Sequence, residues 1–328
     1  MASLLTAFFA SCLFGNQFIS FSGKWFRSQR REYTPSTHQG KNNTPIMGGL
    51  FVIVVVTGTI LAWSDIANRF VWMVLCALWG YGAIGFWDDW CKIRYRKGIS
   101  IAAKIFLQIT FSFVLATLLV FWAGTSTVVA LPFFKTILPN LGMFFIVWAM
   151  IVLIGTSNAV NLTDGLDGLA IGSLIINFVT FSAICYLAGH AIMAAYLGIP
   201  FGQSAELAVV GAALVGGSLG FLWYNAYPAQ IFMGDIGSLS LGGALAVMAL
   251  VSKQEFLLII SGGLFVLEAV SVLVQVFSYR LFGRRLFKMA PIHHHFELNG
   301  WQESKITTRF GIITFVLSLI ALMTLKIR

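Results

Sequence analysis

Charge is what this chain has least of. Asp, Glu, Lys and Arg make up only 10% of its 328 residues, against about a quarter in soluble globular domains. With so little charge to cover a solvated surface, a water-soluble fold is excluded. The 58% hydrophobic content and a mean hydropathy of +0.86 point to an integral membrane protein. Pro-, Ser- or Gln-rich linkers and repeats of fixed period are also lacking, so one membrane domain over 1–328 is expected. Cysteine is scarce too: Cys12, Cys76, Cys91 and Cys185 show no CxxC or metal-ligand spacing and read as inert thiols.

What the chain does have is long apolar runs. Crossing a hydrocarbon core takes ~17–25 apolar residues, and ten spans are expected, near 3–21, 46–63, 70–87, 99–122, 141–157, 169–188, 207–224, 236–251, 256–279 and 310–325. They lack the alternation of barrel strands, so an all-α fold follows. The N-terminus has no basic n-region, and the first span is expected to stay as an anchor. Sorted by connection, 16 of the 21 Lys and Arg residues fall on one side. By the positive-inside rule that side is cytoplasmic, with both termini outside. The net charge of +9 is then a topology signal with an attraction for anionic lipid and anionic substrates. Nucleic acid is not an expected partner.

Only twelve acids are present, and five of them sit in three short polar interruptions that the topology places on the cytoplasmic face. Asp88 and Asp89 close the third span within DDWCK (88–92), where a frayed helix end would let both point into one pocket or into solvent. In NAVNLTDGLDG (158–168), Asn158, Asn161, Asp164 and Asp167 recur every third residue as a strip of oxygen ligands. In NAYPAQIFMGDIGS (225–238), which opens with Asn225, a bend brings Phe232 and aims Asp235 from the start of a helix. Acids gathered this way suit a cation held against phosphate. PIHHHF (291–296) adds His293, His294 and His295; consecutive histidines do not build a zinc site, but each can bind phosphate or move a proton. Glu268, deep in the ninth span, is a functional candidate or a protonated acid bonded to a neighbouring helix.

Together with TPIMGG (44–49), LEAVSVLVQV (267–276) and APIHHHFELNGWQESKI (290–306), these strings resemble the polyprenyl-phosphate N-acetylhexosamine-1-phosphate transferase superfamily. Within it the phospho-N-acetylmuramoyl-pentapeptide transferase branch is the most similar, on the histidine string above all. The resemblance implies about ten transmembrane helices with an active-site cleft on the cytoplasmic face, in the bacterial inner membrane. It implies Mg2+ as cofactor, and transfer from UDP-MurNAc-pentapeptide to undecaprenyl phosphate, giving lipid I and UMP. By position it makes Asp235 the metal ligand and a catalytic group, with Asp88, Asp89 and His293 catalytic. Asn161, Asp164, Phe232, Gln275 and His294 would bind the nucleotide-sugar, and Lys41, Lys92 and Lys104 the phosphates. Asn158, Asp167, Asn225 and His295 complete the expected substrate-binding set, and a second copy of the chain is a candidate partner. Ile46, Asn43 and Gly311 depart from the usual threonine, glycine and tryptophan, and the first two lie beside Lys41. Two other readings stand against this one: transfer of N-acetylglucosamine phosphate to the same lipid, and a cation-coupled transporter using the aspartates as its ion site.

Overall fold

The computed structural model describes residues 1–26, 44–134 and 137–326. Lys41 and Asn43 fall outside them. The described residues form helices α1 (Ala2–Trp25), α2 (Gly48–Trp63), α3 (Arg69–Tyr95), α4 (Ile101–Phe121), α5 (Phe144–Thr163), α6 (Leu169–Ala188) and α7 (Ala191–Leu197). These are followed by α8 (Leu207–Asn225), α9 (Gly234–Ser252), α10 (Glu255–Ser261), α11 (Gly263–Phe282), α12 (Ile292–Glu297) and α13 (Glu303–Thr324). Among them no strand forms; one isolated antiparallel bridge joins Val128 to Asn140.

Nine of these helices are long and apolar enough to cross a membrane, and the all-helical architecture of an integral membrane protein stands. The expected ten spans need three corrections. The second, α2, starts at Gly48 and has only 16 residues, fewer than any of the nine long apolar helices. The ninth breaks at Gly262, where α10 ends and α11 begins. The third does not fray after Trp87: α3 continues to Tyr95, so Asp88 and Asp89 are carried on regular helix.

Packing centres on α9, in which every residue from Ile236 to Ser252 is buried. Lipid removes the hydrophobic incentive for helices to associate, so close approach depends on small side chains. α9 supplies them in Gly237, Ser238, Ser240, Gly242, Gly243, Ala244 and Ala246, and it packs against α2, α3, α5 and α6. A Cβ on Gly243 would strike the ring of Tyr81 of α3, whose hydroxyl lies 2.6 Å from Ser112 of α4. At the far end of α9 the buried Lys253 is satisfied by the Ser126 carbonyl and by the Phe145 ring, 3.9 Å from its Nζ.

Caps fix where the site-bearing helices start. Asn68 accepts the Phe70 N–H at 2.9 Å to open α3, and Ser100 accepts the Ala103 N–H at 3.2 Å to open α4. Lys104 therefore emerges from the first turns of α4, beside the end of α3. Gly85 decides how near α3 comes to the start of α9, because a Cβ there would collide with the Asp235 carbonyl and the Ile236 Cα.

Gly85→Val should separate the two helices at the cost of an overpacked contact, ~1–3 kcal/mol. Thermal unfolding in detergent should show a clear loss for this variant, and turnover should fall further. Gly58→Ala, at a position with nothing within 4 Å, should leave both unchanged.

Candidate active site

Three helices converge on one cluster. Asp88, Asp89 and Lys92 come from α3, Lys104 from α4 and Asp235 from the first turn of α9. Carboxylate oxygens of the three aspartates lie within 4.8 Å of one another. Lys92 Nζ reaches all three, at 2.8 Å from Asp88, 3.0 Å from Asp89 and 2.9 Å from Asp235. Lys104 Nζ lies 3.2 Å from Asp88 and pairs closely with Asp235. Three negative charges thus face two positive ones in a partly buried pocket, where their mutual repulsion would be severe without the ammonium groups.

Backbone donors hold the acids in register. Asp88 Oδ1 accepts the Ile99 N–H at 2.9 Å, which folds the turn between α3 and α4 under it. Asp89 Oδ2 accepts the Ile236 N–H at 3.2 Å, next to Gly234, whose φ of +76° makes the bend that opens α9. Exposure ranks the groups: the side chains of Asp88 and Asp89 are 5% and 4% exposed, Asp235 15%, and Lys104 and Lys92 18% and 24%. A solute entering the pocket meets the lysines and Asp235 first.

The Asn158 strip does not present one row of ligands. Asn158 bonds Gln108 of α4 at 2.7 Å, and Asn161 donates to Ser238 of α9 at 2.7 Å. Asp164 ends α5. Burial first, then the charges of Asp235, Asp89 and Asp167, push its carboxyl up to about 8, with Lys92 acting in opposition. Asp167 accepts the Ala229 N–H at 3.0 Å, and Asn225 clamps the same turn by accepting the Gly168 N–H at 3.1 Å and donating to the Ile231 carbonyl at 2.8 Å. Asp167 and Asn225 thus brace the turn that carries Asp164 against the approach to α9. Phe232 is half-buried, and its backbone pairs with Pro45 and Gly48, tying TPIMGG to FMGDIGS.

The histidines divide. His293 is fully buried, with Nδ1 3.1 Å from Glu268 of α11. His294 keeps 14% exposure, and its Nδ1 lies 3.0 Å from Glu297. His295 accepts the Lys288 N–H at 3.1 Å. Gln275 uses both ends of its amide on the backbone of Leu286 and Phe287. Gln108 and Ser238 were not expected in the site. Gln108 stands one turn beyond Lys104 on the same face of an apolar helix, which is a legible signal.

A model of glycosyl transferase family 4 matches residues 71–253. The phospho-N-acetylmuramoyl-pentapeptide-transferase of Solidesulfovibrio magneticus is 50% identical over 332 residues, covering 100% of this chain and 93% of that protein. The protein of the same name from Citrifermentans bemidjiense is 52% identical over 297 residues, covering 90% of this chain and 83% of that protein.

The raised carboxyl of Asp164 has a consequence for stability. Between about pH 4 and about pH 8 the folded chain keeps a proton there that the unfolded chain has lost, so stability from this group falls as pH rises and levels off above pH 8. Asp164→Asn should remove that slope. Melting measured without divalent cations should show the variant gaining on the wild type up to about pH 8 and then running parallel to it; a constant difference throughout would mean that native Asp164 is ionised across the range.

Proposed function

Because the chain belongs to the phospho-N-acetylmuramoyl-pentapeptide-transferase family, we propose that its aspartate–lysine cluster is where the phospho-sugar passes from UDP-MurNAc-pentapeptide to undecaprenyl phosphate, giving lipid I and UMP. The observation that carries this reading is the cluster itself: three carboxylates and two ammonium groups within contact of one another at the meeting of α3, α4 and α9.

In the transfer, an oxygen of the lipid phosphate attacks the phosphorus that bears the sugar. A new P–O bond forms there, and the bond to the uridine-side phosphate breaks to release UMP. Both reactants are anions, so charge neutralisation is the main task. Lys92 and Lys104 stand between the acids and solvent, where they can exchange carboxylate partners for phosphate oxygens. Asp88, Asp89 and Asp235 are hard oxygen donors close enough together to fit a Mg2+ ion, and Asp235, the most exposed of the three, would be its principal ligand. A bound cation would supply neutralisation of the diphosphate. Asp88, anchored by the Ile99 N–H, orients the lipid phosphate or takes its proton, with Asp89 holding the start of α9 beside it.

The donor lies along Asn161, Asp164 and the half-buried His294, with Phe232 placed to stack on the base. Asn158, Asp167, Asn225, Gln275 and His295 act on the donor through the segments they brace. The chain works as one polytopic domain in the bacterial inner membrane, with this cleft toward the cytoplasm and both termini outside, a reading supported by the positive-inside sorting of its basic residues. The names of the relatives favour this donor over the N-acetylglucosamine one, and favour a transferase over a transporter.

Purified protein given undecaprenyl phosphate and Mg2+ should release UMP from UDP-MurNAc-pentapeptide and not from UDP-N-acetylglucosamine; the reverse preference would overturn the donor assignment. Asp235→Asn should lower UMP release by at least ~10³-fold while the protein remains folded in detergent, a loss of about 4 kcal/mol in transition-state stabilisation. Near-normal turnover in that variant would remove Asp235 from the centre.

A further inference from the structure

Glu268 takes no part in the chemistry described above, yet it is buried in the second turn of α11. Its side chain and that of His293 are both 0% exposed, with Nδ1 and Oε2 3.1 Å apart. Apart from this contact, neither side chain has a hydrogen-bond partner among the described residues. An ionised carboxylate isolated there would be expensive, by several kcal/mol.

The contact orients the ring. With Nδ1 toward Glu268, Nε2 faces Gly165, and a Cβ at Gly165 would fall on that nitrogen. His293 therefore fills the space that the missing side chain leaves, wedged under the turn whose preceding residue is Asp164. From its own helix, α12, it is faced by His294, with ring centroids 4.2 Å apart, and by Glu297. Burial holds its proton affinity below the ordinary histidine value, His294 acts in the same direction, and Glu268 and Glu297 oppose both. His293, which the resemblance makes catalytic, has no exposed side-chain atom here, and it bears on the turn it supports.

We propose that Glu268 is a positioning residue for the transfer reaction: through His293 it locks the Asp164–Gly165 turn to α12, and so fixes Asp164 and His294 relative to the donor. This rests on the donor lying along that turn. Misplacing a reacting group by about 1 Å can cost ~10²-fold in rate, so an effect far larger than the contact's share of stability is expected.

The test is a double-variant cycle of Glu268→Gln, His293→Gln and the pair, with steady-state kinetics for both substrates and melting in detergent. Glu268→Gln should lower kcat by about ten- to a hundredfold, leave KM for undecaprenyl phosphate within about twofold, and leave melting close to wild type. The double variant should be no slower than the slower single one, because the two residues act as one unit. Turnover within twofold of wild type in Glu268→Gln, or a double variant that loses the product of the two single losses, would overturn the proposal. If Glu268→Gln does not fold, His293→Gln decides alone: wild-type kcat there overturns the proposal, and the same selective loss of kcat supports it. Failure of the wild type to release UMP would instead remove the donor reading on which the proposal rests.

Discussion

Everything in this structure depends on two lysines placed among three aspartates. Asp88, Asp89 and Asp235 could not be held together in a half-buried pocket on their own, because each carboxylate raises the cost of ionising the next. Lys92 touches all three and Lys104 touches two, so the cluster is assembled before any substrate arrives. Preorganised charge of this kind is what a reaction between two anions requires, since little reorganisation is left for the moment of transfer.

The surrounding fold serves that geometry. Small residues along α9 let α3 approach closely enough for Asp88 and Asp89 to meet Asp235, and the Ser100 cap starts α4 where Lys104 can complete the group. Outside the cluster, polar side chains in the motif strings split between facing the pocket and bracing the backbone. Asn225, Asp167 and Gln275 brace: their hydrogen bonds run to main-chain groups of neighbouring segments.

Much of this was legible in the chain. The acid-poor composition made the five clustered aspartates conspicuous, and the hydropathy gave the helical membrane fold. The sorting of Asn158, Asn161, Asp164 and Asp167 was not legible. A three-residue spacing implies a shared face only while the helix lasts, and α5 stops at Thr163, so Asp164 caps its end and Asp167 turns to the Ala229 N–H. Nor did the sequence show Asp88 and Asp89 on continuous helix, because hydropathy marks where apolar residues end and not where backbone hydrogen bonding does. The break at Gly262 had a signal in Ser261, Gly262 and Gly263, overridden by the apolar run around it. Which histidine is buried depends on how α12 meets α11, a tertiary contact that no local pattern encodes.

The most direct test of the cluster as the seat of the cation is a manganese titration followed by electron paramagnetic resonance on purified protein, with and without UDP-MurNAc-pentapeptide. Expected are one bound ion per chain in the presence of donor, loss of that ion in Asp235→Asn, and tighter binding without donor when Lys92 is replaced by Met, since a competing ammonium group is then gone. Unchanged manganese binding in Asp235→Asn and in a variant lacking all three aspartates would place the cation elsewhere and contradict the role given to the cluster.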